Sequence, residues 1–473
     1  MSDTFARLKA VVGEKGFTED PREIAPHLEE WRSKYRGRSS LMLQPASTAE
    51  ISALLAICHE TGTAIVPQGG NTGLVGGQIP FHGEVLLSLQ RMRNLRVLDA
   101  SGMTMTAEAG MVLADAQAAA AGAGLMFPLT LASEGSCTIG GNISTNAGGN
   151  HVLRYGMMRA LVLGLEVVLA DGRALPMLKT LHKDNSGYDL KQIFIGSEGT
   201  LGVVTAATLR LFTRPAQSVV AFVAAPSPAA ALALLGHMQA RTGGLLSAFE
   251  LISRPAMDLL LRHIPGVRDP LDKTSPWYVL IEVSGGAGLD DQVQAALADA
   301  MAQNFITDAV IAHNQAQAKA FWHLRESISE SQKREGASIK HDISVPVAAI
   351  PAFIEKATAA VLAKFPGARP VTFGHLGDGN LHFNFNSPPS SSEGGGDAQF
   401  LAEWDEMQLT VHDIVKEFSG SISAEHGIGT MKRDLLLRYK STGELDAMRA
   451  LKSAFDPKNI LNPGKTVPPV SRL

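Results

Sequence analysis

Two histidines and a later Glu-His pair are the residues whose types and spacing could bind a metal ion and accept a proton. His375 and His382 flank a short Gly-Asp-Gly-Asn turn at 377–380, with apolar, strand-like residues on both sides. A hairpin at this turn would bring the two imidazoles close together. Glu425 and His426 follow on a glycine-flanked segment. Two histidines and one carboxylate are typical of a catalytic zinc or ferrous site, and the alternative is a hairpin whose histidines only form hydrogen bonds.

A second group of side chains, upstream of the hairpin, could bind an anionic substrate. Arg325 and Ser329 stand four residues apart, a spacing that predicts one face of a helix. Lys340 follows downstream and adds a second cation. The alternative is a solvated helix face on which Arg325 pairs with Glu326 or Glu330.

Glycine supplies the signal for a cofactor. Nineteen of the 46 glycines lie in two segments, a first glycine segment at 62–83 and a second glycine segment at 135–202, where average usage would place about six. Successive glycines allow backbone N–H groups to turn towards a phosphate. The small hydroxyl and amide side chains of the second glycine segment add donors that suit a diphosphate and the edge of an isoalloxazine ring. The alternative is a set of tight turns.

Two other nucleotide-binding motifs are excluded by their context. A nicotinamide-binding motif needs G-x-G-x-x-G at the start of a helix, whereas the first glycine segment leads into another strand-like run at 85–88. A P-loop needs a glycine five positions before Gly464 in the Gly-Lys-Thr sequence at 464–466. Asn459 stands there instead.

The elements that must position these residues follow from apolar periodicity and turn signals. Residues 1–37 are predicted as an amphipathic helical segment. Strands are predicted at 41–44, 64–66, 85–88, 103–107, 162–169, 200–211, 219–225, 247–251, 278–283 and 306–311, and an apolar hairpin at 374–386. Helices are predicted at 47–61 (with Ser47 and Glu50 as a capping box), 229–240, 289–303, 315–334, 347–364 and 400–418, and a flexible loop at 387–396. The strand-helix-strand-strand-helix-strand order of 219–311 indicates an antiparallel, ferredoxin-like domain.

Five separated motifs carry a resemblance to a known family. They are PQGGNTGLVGG at 67–77, NISTNAGG at 142–149, KDNSGYDL at 183–190, IGSEGTLG at 195–202 and DPKNILNPGK at 456–465. Together they resemble the FAD proteins of the vanillyl-alcohol-oxidase type (PCMH-type) and, more narrowly, the D-2-hydroxyglutarate dehydrogenases. The resemblance implies an α+β fold, with a two-subdomain PCMH-type FAD-binding domain, the ferredoxin-like substrate domain and a helical C-terminal segment that returns to the flavin.

The expected domain organisation has four parts. An N-terminal helical segment at 1–37 precedes the FAD-binding domain at 38–215. The substrate (cap) domain occupies 216–420, and a C-terminal segment at 421–473 completes the active site.

The resemblance also implies roles for single residues. It implies that His375, His382 and Glu425 bind the metal, and that His426 is the catalytic base and contacts the substrate. Arg325, Ser329 and Lys340 are expected to bind a distal substrate carboxylate, with Asn384 as a further polar contact; Asp378 is interpreted as a turn residue. The residues expected to bind FAD are Gln68, Gly69, Gly70, Asn71, Thr72, Gly73, Leu74, Pro128, Ser136, Gly140, Asn142, Thr145, Asn146, Gly148, Glu198, Gly199, Gly202, Val203 and Asn462.

Three positions depart from the pattern of the family. Ser329 stands where threonine is expected, which keeps the hydroxyl, and His341 stands where tyrosine is expected, which could alter the shape of the pocket. Asn71 occupies the position at which members with covalently attached FAD often carry histidine. We therefore expect FAD to be bound non-covalently.

The implied activity is oxidation of D-2-hydroxyglutarate, or a close D-2-hydroxy acid such as D-malate, to the 2-oxo acid. A divalent metal, expected to be zinc, would bind the C1 carboxylate and C2 hydroxyl, and the hydride would pass to flavin N5. The expected electron acceptor is not NAD but an electron-transfer flavoprotein or a quinone, and a homodimer is a further expectation. The alternatives are a D-lactate dehydrogenase of the same family, a non-redox flavin transferase and a non-catalytic flavin subunit. The alkyl-dihydroxyacetone-phosphate synthases, which are such transferases, carry a histidine-rich tract that this sequence lacks.

Composition limits the other classes of function. The 473 residues include 42 Lys and Arg against 46 Asp and Glu, for a net charge of −4. This near-neutral balance argues against nucleic acid or an anionic membrane surface as the main partner. Cys58 and Cys137 are too few for a disulfide framework and are predicted to be free thiols. With no signal peptide or membrane span predicted, we expect a cytoplasmic location.

Overall fold

A computed structural model describes residues 2–389 and 396–469 of the chain. These residues form two compact units. Unit 1 comprises the described residues of Met1–Gly149, Gly156–Arg214 and Glu425–Leu473, and unit 2 comprises those of Asn150–Tyr155 and Pro215–Ala424. The helical and C-terminal segments predicted at the two ends of the chain are therefore parts of unit 1, apart from 421–424.

Both units contain helices and strands. The helices are α1 (Ser2–Val12), α2 (Pro21–Ile24), α3 (Thr48–Thr61), α4 (Leu113–Gly122), α5 (Ile139–Ser144), α6 (Val152–Tyr155), α7 (Met158–Leu161), α8 (Lys191–Phe194), α9 (Pro228–Thr242), α10 (Arg254–His263), α11 (Leu289–Ala302), α12 (Gln315–Glu326), α13 (Ile328–Glu335), α14 (Ile350–Lys364), α15 (Gly396–Ala402), α16 (Trp404–Glu417), α17 (Leu436–Tyr439) and α18 (Thr442–Phe455). The strands are β1 (Phe17–Thr18), β2 (Met42–Leu43), β3 (Ile65–Gln68), β4 (Val85–Ser88), β5 (Leu95–Asp99), β6 (Thr104–Glu108), β7 (Leu125–Met126), β8 (Val162–Val168), β9 (Ala174–Met177), β10 (Val203–Arg210), β11 (Phe212–Thr213), β12 (Gln217–Ala225), β13 (Leu246–Ser253), β14 (Trp277–Gly285), β15 (Asp308–Ile311), β16 (Ser338–Ile339), β17 (Asp342–Ser344), β18 (Arg369–His375) and β19 (Asn380–Asn386).

Unit 1 contains two main sheets, as expected for a two-subdomain FAD-binding domain. The first has the strand order β1-β2-β4-β3, in which β2 and β3 both run parallel to β4. The second has the order β5-β6-β10-β8-β9 with antiparallel neighbours. Helix α3 begins where the Ser47 side chain accepts the N–H of Glu50, and it ends at Gly62 in the left-handed region, which glycine adopts without strain. The first glycine segment starts at this residue.

Unit 2 is built on one antiparallel sheet. Its first four strands lie in the order β15-β12-β14-β13, which is the ferredoxin-like arrangement that the order of elements predicted. The hairpin β18–β19 extends this sheet beside β13, and β16 and β17 pair with β19. One sheet face packs an apolar cluster against α10, α12 and α13, with Phe222, Tyr278 and Phe373 among its buried side chains. The predicted α+β fold class is therefore confirmed.

Several local predictions are wrong. The segment 1–37 is not one helix, because α1 ends at Val12 and is followed only by the two-residue strand β1, the four-residue helix α2 and a three-residue 3-10 helix at Ala25–His27. The capping box at Ser47 is only half formed, since the Glu50 carboxylate accepts the N–H of Ala46 instead. The helix predicted at 315–334 is interrupted at Ser327. Among the elements that were not predicted are strands β5 and β9 and helices α4, α10 and α18.

Of the loop predicted at 387–396, residues 390–395 lie outside the described residues.

Two further predictions concern the cysteines and the membrane. Cys58 and Cys137 are free, as predicted, and both are buried. Burial raises the pKa of the Cys58 thiol to about 12. Among the described residues, no helix has both the length and the apolar character that crossing a bilayer requires.

Candidate functional site

The two glycine segments meet in unit 1, and their meeting point has no room for larger residues. A Cβ at Gly70 would lie 2.0 Å from the backbone oxygen of Ser136, and one at Gly69 would lie 2.3 Å from Thr138 Oγ1. These approaches are closer than any real Cβ contact, and at Gly70 the obstacle is backbone. The sequence therefore requires glycine here so that backbone N–H groups of two loops can line one surface.

Amide side chains hold the first glycine segment in shape. Gln68, at the end of β3, donates from Nε2 to the backbone oxygens of His27 and Gln78. Asn71 has φ of +55°, and its Nδ2 donates to the backbone oxygens of Pro26 and Glu29. Its Oδ1 accepts from Gln78 Nε2. Asn71 thus shapes the loop, and it offers no nucleophile to a flavin.

The second glycine segment continues the same surface. Thr138 caps α5 by accepting the N–H of Gly141, and Gly140 lies so close to Ala109 that a Cβ would clash with it. Asn142 is buried in α5. Asn146 has φ of +49° and accepts the N–H of Arg159 through Oδ1. The other FAD-binding residues expected in unit 1 are buried or half-buried there, except for the exposed Ser136: Thr72, Gly73, Leu74, Pro128, Thr145, Gly148, Gly199, Gly202 and Val203.

Glu198 and Asn462 join the glycine segments to the C-terminal part of unit 1. The C-terminal segment runs beside β3, where Asn462 N donates to Ile65 O. Asn462 Nδ2 donates to the backbone oxygens of Gly77 and Glu198. The Glu198 carboxylate accepts the N–H groups of Ile428 and Gly429 at 2.8 Å each, while its complete burial raises its pKa.

These contacts fix the loop that carries Glu425 and His426. Besides the two bonds to Glu198, Thr430 N donates to Val75 O in the first glycine segment. A Cβ at Gly429 would lie 2.3 Å from the same Val75 oxygen. Glu425 and His426 are half-buried and adjacent, with 3.8 Å between Glu425 Oε1 and His426 Nε2. The loop that carries the expected base is therefore fastened to Glu198 and to the first glycine segment.

The predicted hairpin is present in unit 2, and it brings His375 and His382 together. His375 ends β18 and His382 lies in β19, opposite Phe373. The two imidazole rings have centroids 5.7 Å apart. Asp378 lies in the turn between the strands, where its Oδ1 accepts the N–H of Asn380.

Arg325 is buried beside this hairpin rather than exposed on a helix. Its guanidinium stacks over Phe373, with 5.0 Å to the ring centroid, and its Nε and Nη2 each lie 2.8 Å from Glu250 Oε2. The alternative of pairing with Glu326 or Glu330 is therefore wrong. The prediction that one helix face carries Arg325 and Ser329 is also wrong, because the helix breaks between them and Ser329 is exposed.

The remaining predicted substrate residues lie on or beside β19. Asn384 is buried, donates to Gln332 Oε1 at 2.9 Å and accepts the N–H of His341 at 3.0 Å. Lys340 is half-buried and precedes His341 between β16 and β17. His341, the residue found where tyrosine is expected, is buried and contacts Phe383 O through Nδ1.

Two buried glutamates of this region were missed by the sequence analysis. Glu250 on β13 contacts His375 Nδ1 at 2.7 Å as well as Arg325. The two partners lower the pKa of Glu250 well below its usual range, although burial alone would raise it. Glu282 on β14 accepts from Trp322 Nε1 at 2.9 Å. The available signal was a carboxylate within each of two otherwise apolar strands, since glutamate is almost never fully buried without a partner.

Comparison with known proteins shows the family. An FAD binding domain family matches residues 39–177, and the family of C-terminal domains of FAD linked oxidases matches residues 214–466. The chain is 42% identical to the mitochondrial D-2-hydroxyglutarate dehydrogenase of Bos taurus, over 98% of this chain and 84% of that protein. This chain belongs to the D-2-hydroxyglutarate dehydrogenase family. It is an FAD-dependent oxidoreductase, and the cradle formed by the glycine segments fits that cofactor.

Two other relatives are similar to this dehydrogenase over nearly its whole length. The D-2-hydroxyglutarate dehydrogenase of Xanthomonas citri pv. viticola is 38% identical, over 94% of this chain and 93% of that protein. A relative from Schizosaccharomyces pombe that is named as a mitochondrial D-lactate dehydrogenase is 35% identical, over 97% and 89%.

Solved structures support the fold. An alkyldihydroxyacetonephosphate synthase has a TM-score of 0.74 at 18% identity, over 98% of this chain and 86% of that one. A p-cresol methylhydroxylase has a TM-score of 0.74 at 16% identity, over 98% and 96%.

Proposed function

We propose that this enzyme oxidises D-2-hydroxyglutarate, or a close D-2-hydroxy dicarboxylate such as D-malate, to the 2-oxo acid, with FAD bound non-covalently. The observation that carries the proposal is the buried Arg325 beside the His375–His382 pair. A buried guanidinium suits recognition of a carboxylate, and paired imidazoles suit a divalent metal. The names of the relatives support the same substrate class.

His375 and His382 are the proposed imidazole ligands of the metal, which we expect to be zinc. Glu425 is the third ligand by family resemblance. A carboxylate and two neutral imidazoles form a donor set that zinc accepts in catalytic sites, with a position left for substrate. When bound, the metal acts as a Lewis acid that lowers the pKa of the substrate C2 hydroxyl.

The chain's own residues orient the substrate and remove its proton. His426 accepts the proton of the C2 hydroxyl, a role that suits an imidazole held on a fixed loop. Arg325 and Lys340 pair with the distal carboxylate, and Ser329 and Asn384 add polar contacts to the substrate. FAD bound at the glycine segments would supply, at N5, the acceptor for the C2 hydride.

A substrate comparison tests this assignment. Wild-type enzyme is assayed with D-2-hydroxyglutarate, D-malate and D-lactate, and we expect D-lactate to be the poorest because it has no distal carboxylate. Lys340→Met should lower kcat/KM for D-2-hydroxyglutarate by about 10- to 150-fold, the value of a charge-assisted hydrogen bond. The D-lactate value should stay unchanged. Equal kcat/KM for lactate and 2-hydroxyglutarate in the wild type would favour the D-lactate dehydrogenase alternative.

Acceptor, assembly and location complete the proposal. We propose an electron-transfer flavoprotein or a quinone as the electron acceptor, which reduction of either by the pre-reduced enzyme would test. A homodimer stays a prediction, which sedimentation would test. A cytoplasmic location also stays a prediction, since the relatives from Bos taurus and Schizosaccharomyces pombe are named mitochondrial.

A further inference from the structure

One buried carboxylate in unit 2 contacts both the proposed metal ligand and the proposed substrate cation. Glu250 lies on β13 directly opposite His375 on β18, and its side chain is 1% exposed. Its Oε1 lies 2.7 Å from His375 Nδ1, and its Oε2 lies 2.8 Å from both Nε and Nη2 of Arg325. Each carboxylate oxygen is thus committed to a different partner.

The chemistry of these groups determines where the protons are. A guanidinium only donates, and an ionised carboxylate only accepts. Oε2 therefore accepts from Arg325, and Oε1 accepts a proton carried on His375 Nδ1. A neutral imidazole protonated at Nδ1 has its lone pair on Nε2, the form in which the Nε2 atom can bind a metal.

The same contact orients the guanidinium. Glu250 takes the Nε–H and an Nη2–H of Arg325, and Phe373 covers one face of the guanidinium plane. Arg325 has five N–H donors in a rigid fork, so the Nη1 edge keeps its donors for a second carboxylate. A lysine at this position could not divide its donors in this planar way.

We propose that Glu250 is a positioning residue, which fixes the Nδ1–H form of His375 for metal binding and aims the Nη1 edge of Arg325 at the distal carboxylate of the substrate. This inference rests on the proposed function of His375 and Arg325. It adds a residue that neither the motifs nor the resemblance pointed to. Glu250 would thus position both the metal ligand His375 and the substrate-binding Arg325.

Glu250→Gln is the discriminating variant. Because Arg325 only donates, the glutamine oxygen must face Arg325, and the glutamine NH2 then faces His375 Nδ1. The NH2 group donates to Nδ1, which favours the opposite tautomer with the proton on Nε2. A proton on Nε2 blocks metal binding at that nitrogen. We expect the affinity for Zn²⁺ to fall about 10- to 100-fold, as for other partners of metal-bound histidines, while FAD stays bound.

Glu282→Gln is the matched control. Glu282 is also a buried glutamate on the neighbouring strand, and it accepts from Trp322 of the same helix that carries Arg325. Its carboxylate also contacts Ser247, Ser284 and His151, and none of these contacts involves His375 or Arg325. This variant should keep the Zn²⁺ affinity and the KM for D-2-hydroxyglutarate, whereas Glu250→Gln should raise that KM.

Two measurements decide the inference. Equilibrium dialysis of metal-free, FAD-loaded protein against Zn²⁺ gives the affinities of the wild type and both variants. Long-range ¹H–¹⁵N NMR of ¹⁵N-histidine-labelled wild type without metal, at alkaline pH, reports the tautomer of His375, whose signals are assigned by their loss in His375→Gln. Because this spectrum is recorded on the wild type, it does not depend on whether a Glu250 variant folds.

The outcomes separate this inference from the proposed function. An Nδ1–H tautomer in the wild type, together with weaker Zn²⁺ binding only in Glu250→Gln, supports it. An Nε2–H tautomer in the wild type, or equal Zn²⁺ affinity in the wild type and Glu250→Gln, overturns it. If wild-type protein binds no Zn²⁺, the metal proposal fails, and the tautomer and the KM comparison still decide the role of Glu250.

Discussion

Gly70→Ala should weaken FAD binding strongly. The added Cβ would lie 2.0 Å from Ser136 O, 2.8 Å from Ser136 C and 3.1 Å from Cys137 Cα. All three are backbone atoms of the second glycine segment, so no side-chain rotation can relieve the clash. Ordinary contact begins at 3.4 Å, and the two loops must therefore separate by about 1.4 Å at this point. A separation of this size exceeds the range of donor–acceptor distances over which a hydrogen bond forms. The backbone N–H donors of the two loops would then no longer be aligned with each other.

The expected magnitude follows from the cost of such overpacking. Inserting a methyl group into a packed site costs about 1–3 kcal/mol, which corresponds to roughly 5- to 150-fold in the Kd for FAD. Apo-protein is titrated with FAD and the quenching of flavin fluorescence gives the Kd. Gly122→Ala is the control, since Gly122 ends α4 and a Cβ there meets nothing within 4 Å. Wild-type affinity in Gly70→Ala would refute the reasoning that these loops form the cradle.

Four further predictions follow from single contacts. His426→Ala should abolish flavin reduction by D-2-hydroxyglutarate while FAD stays bound, and unchanged reduction kinetics would exclude His426 as the base. Acid precipitation should leave FAD in the supernatant, because Asn71 cannot attach it; a yellow pellet would contradict this. Cys58 and Cys137 should not react with a thiol reagent in native protein and should react fully once it unfolds. Glu335 is half-buried beside Arg262, His263 and Arg369; partial burial raises its pKa, but these donors outweigh it and lower the pKa to about 2. A lowered carboxyl pKa stabilises the fold above the unfolded-state value of 4.5, and this contribution is lost as the pH falls towards 2. Glu335→Gln should therefore lower the melting temperature by a few degrees at pH 7, for about 1–3 kcal/mol, with a difference that shrinks below pH 4.5.

The elements that sequence predicts well are those whose signals are local. Strand β4 has the predicted bounds, because four consecutive apolar or small residues are bracketed by turns. The start of helix α3 was found through its N-cap Ser47. The ferredoxin-like sheet followed from the order of elements alone.

The elements that were missed lack such signals. Strand β9 contains Pro176 and is partly exposed, so it shows neither a buried run nor clean alternation. The break between α12 and α13 falls at Ser327, without a glycine or proline to announce it. Helix α18 lies in a C-terminal segment that was interpreted through its motif rather than through its periodicity.

The candidate site shows the same division. The His375–His382 hairpin was predictable because both residues flank one turn. The environment of Arg325 was not predictable, because its partner Glu250 lies 75 residues away along the chain. Glu250 is in turn 125 residues away from its second partner, His375. Helical spacing favoured a local partner for Arg325, but burial beside β13 decided otherwise.

Anaerobic reduction of the enzyme-bound flavin tests the central claim most directly. The FAD-loaded protein is mixed without oxygen with D- or L-2-hydroxyglutarate, with and without a metal chelator, and the flavin absorbance is followed. We predict bleaching by the D enantiomer only, its loss with the chelator and its return when Zn²⁺ is added. A flavin that stays oxidised with D-2-hydroxyglutarate and with D-malate, in metal-loaded enzyme, would contradict the proposed function.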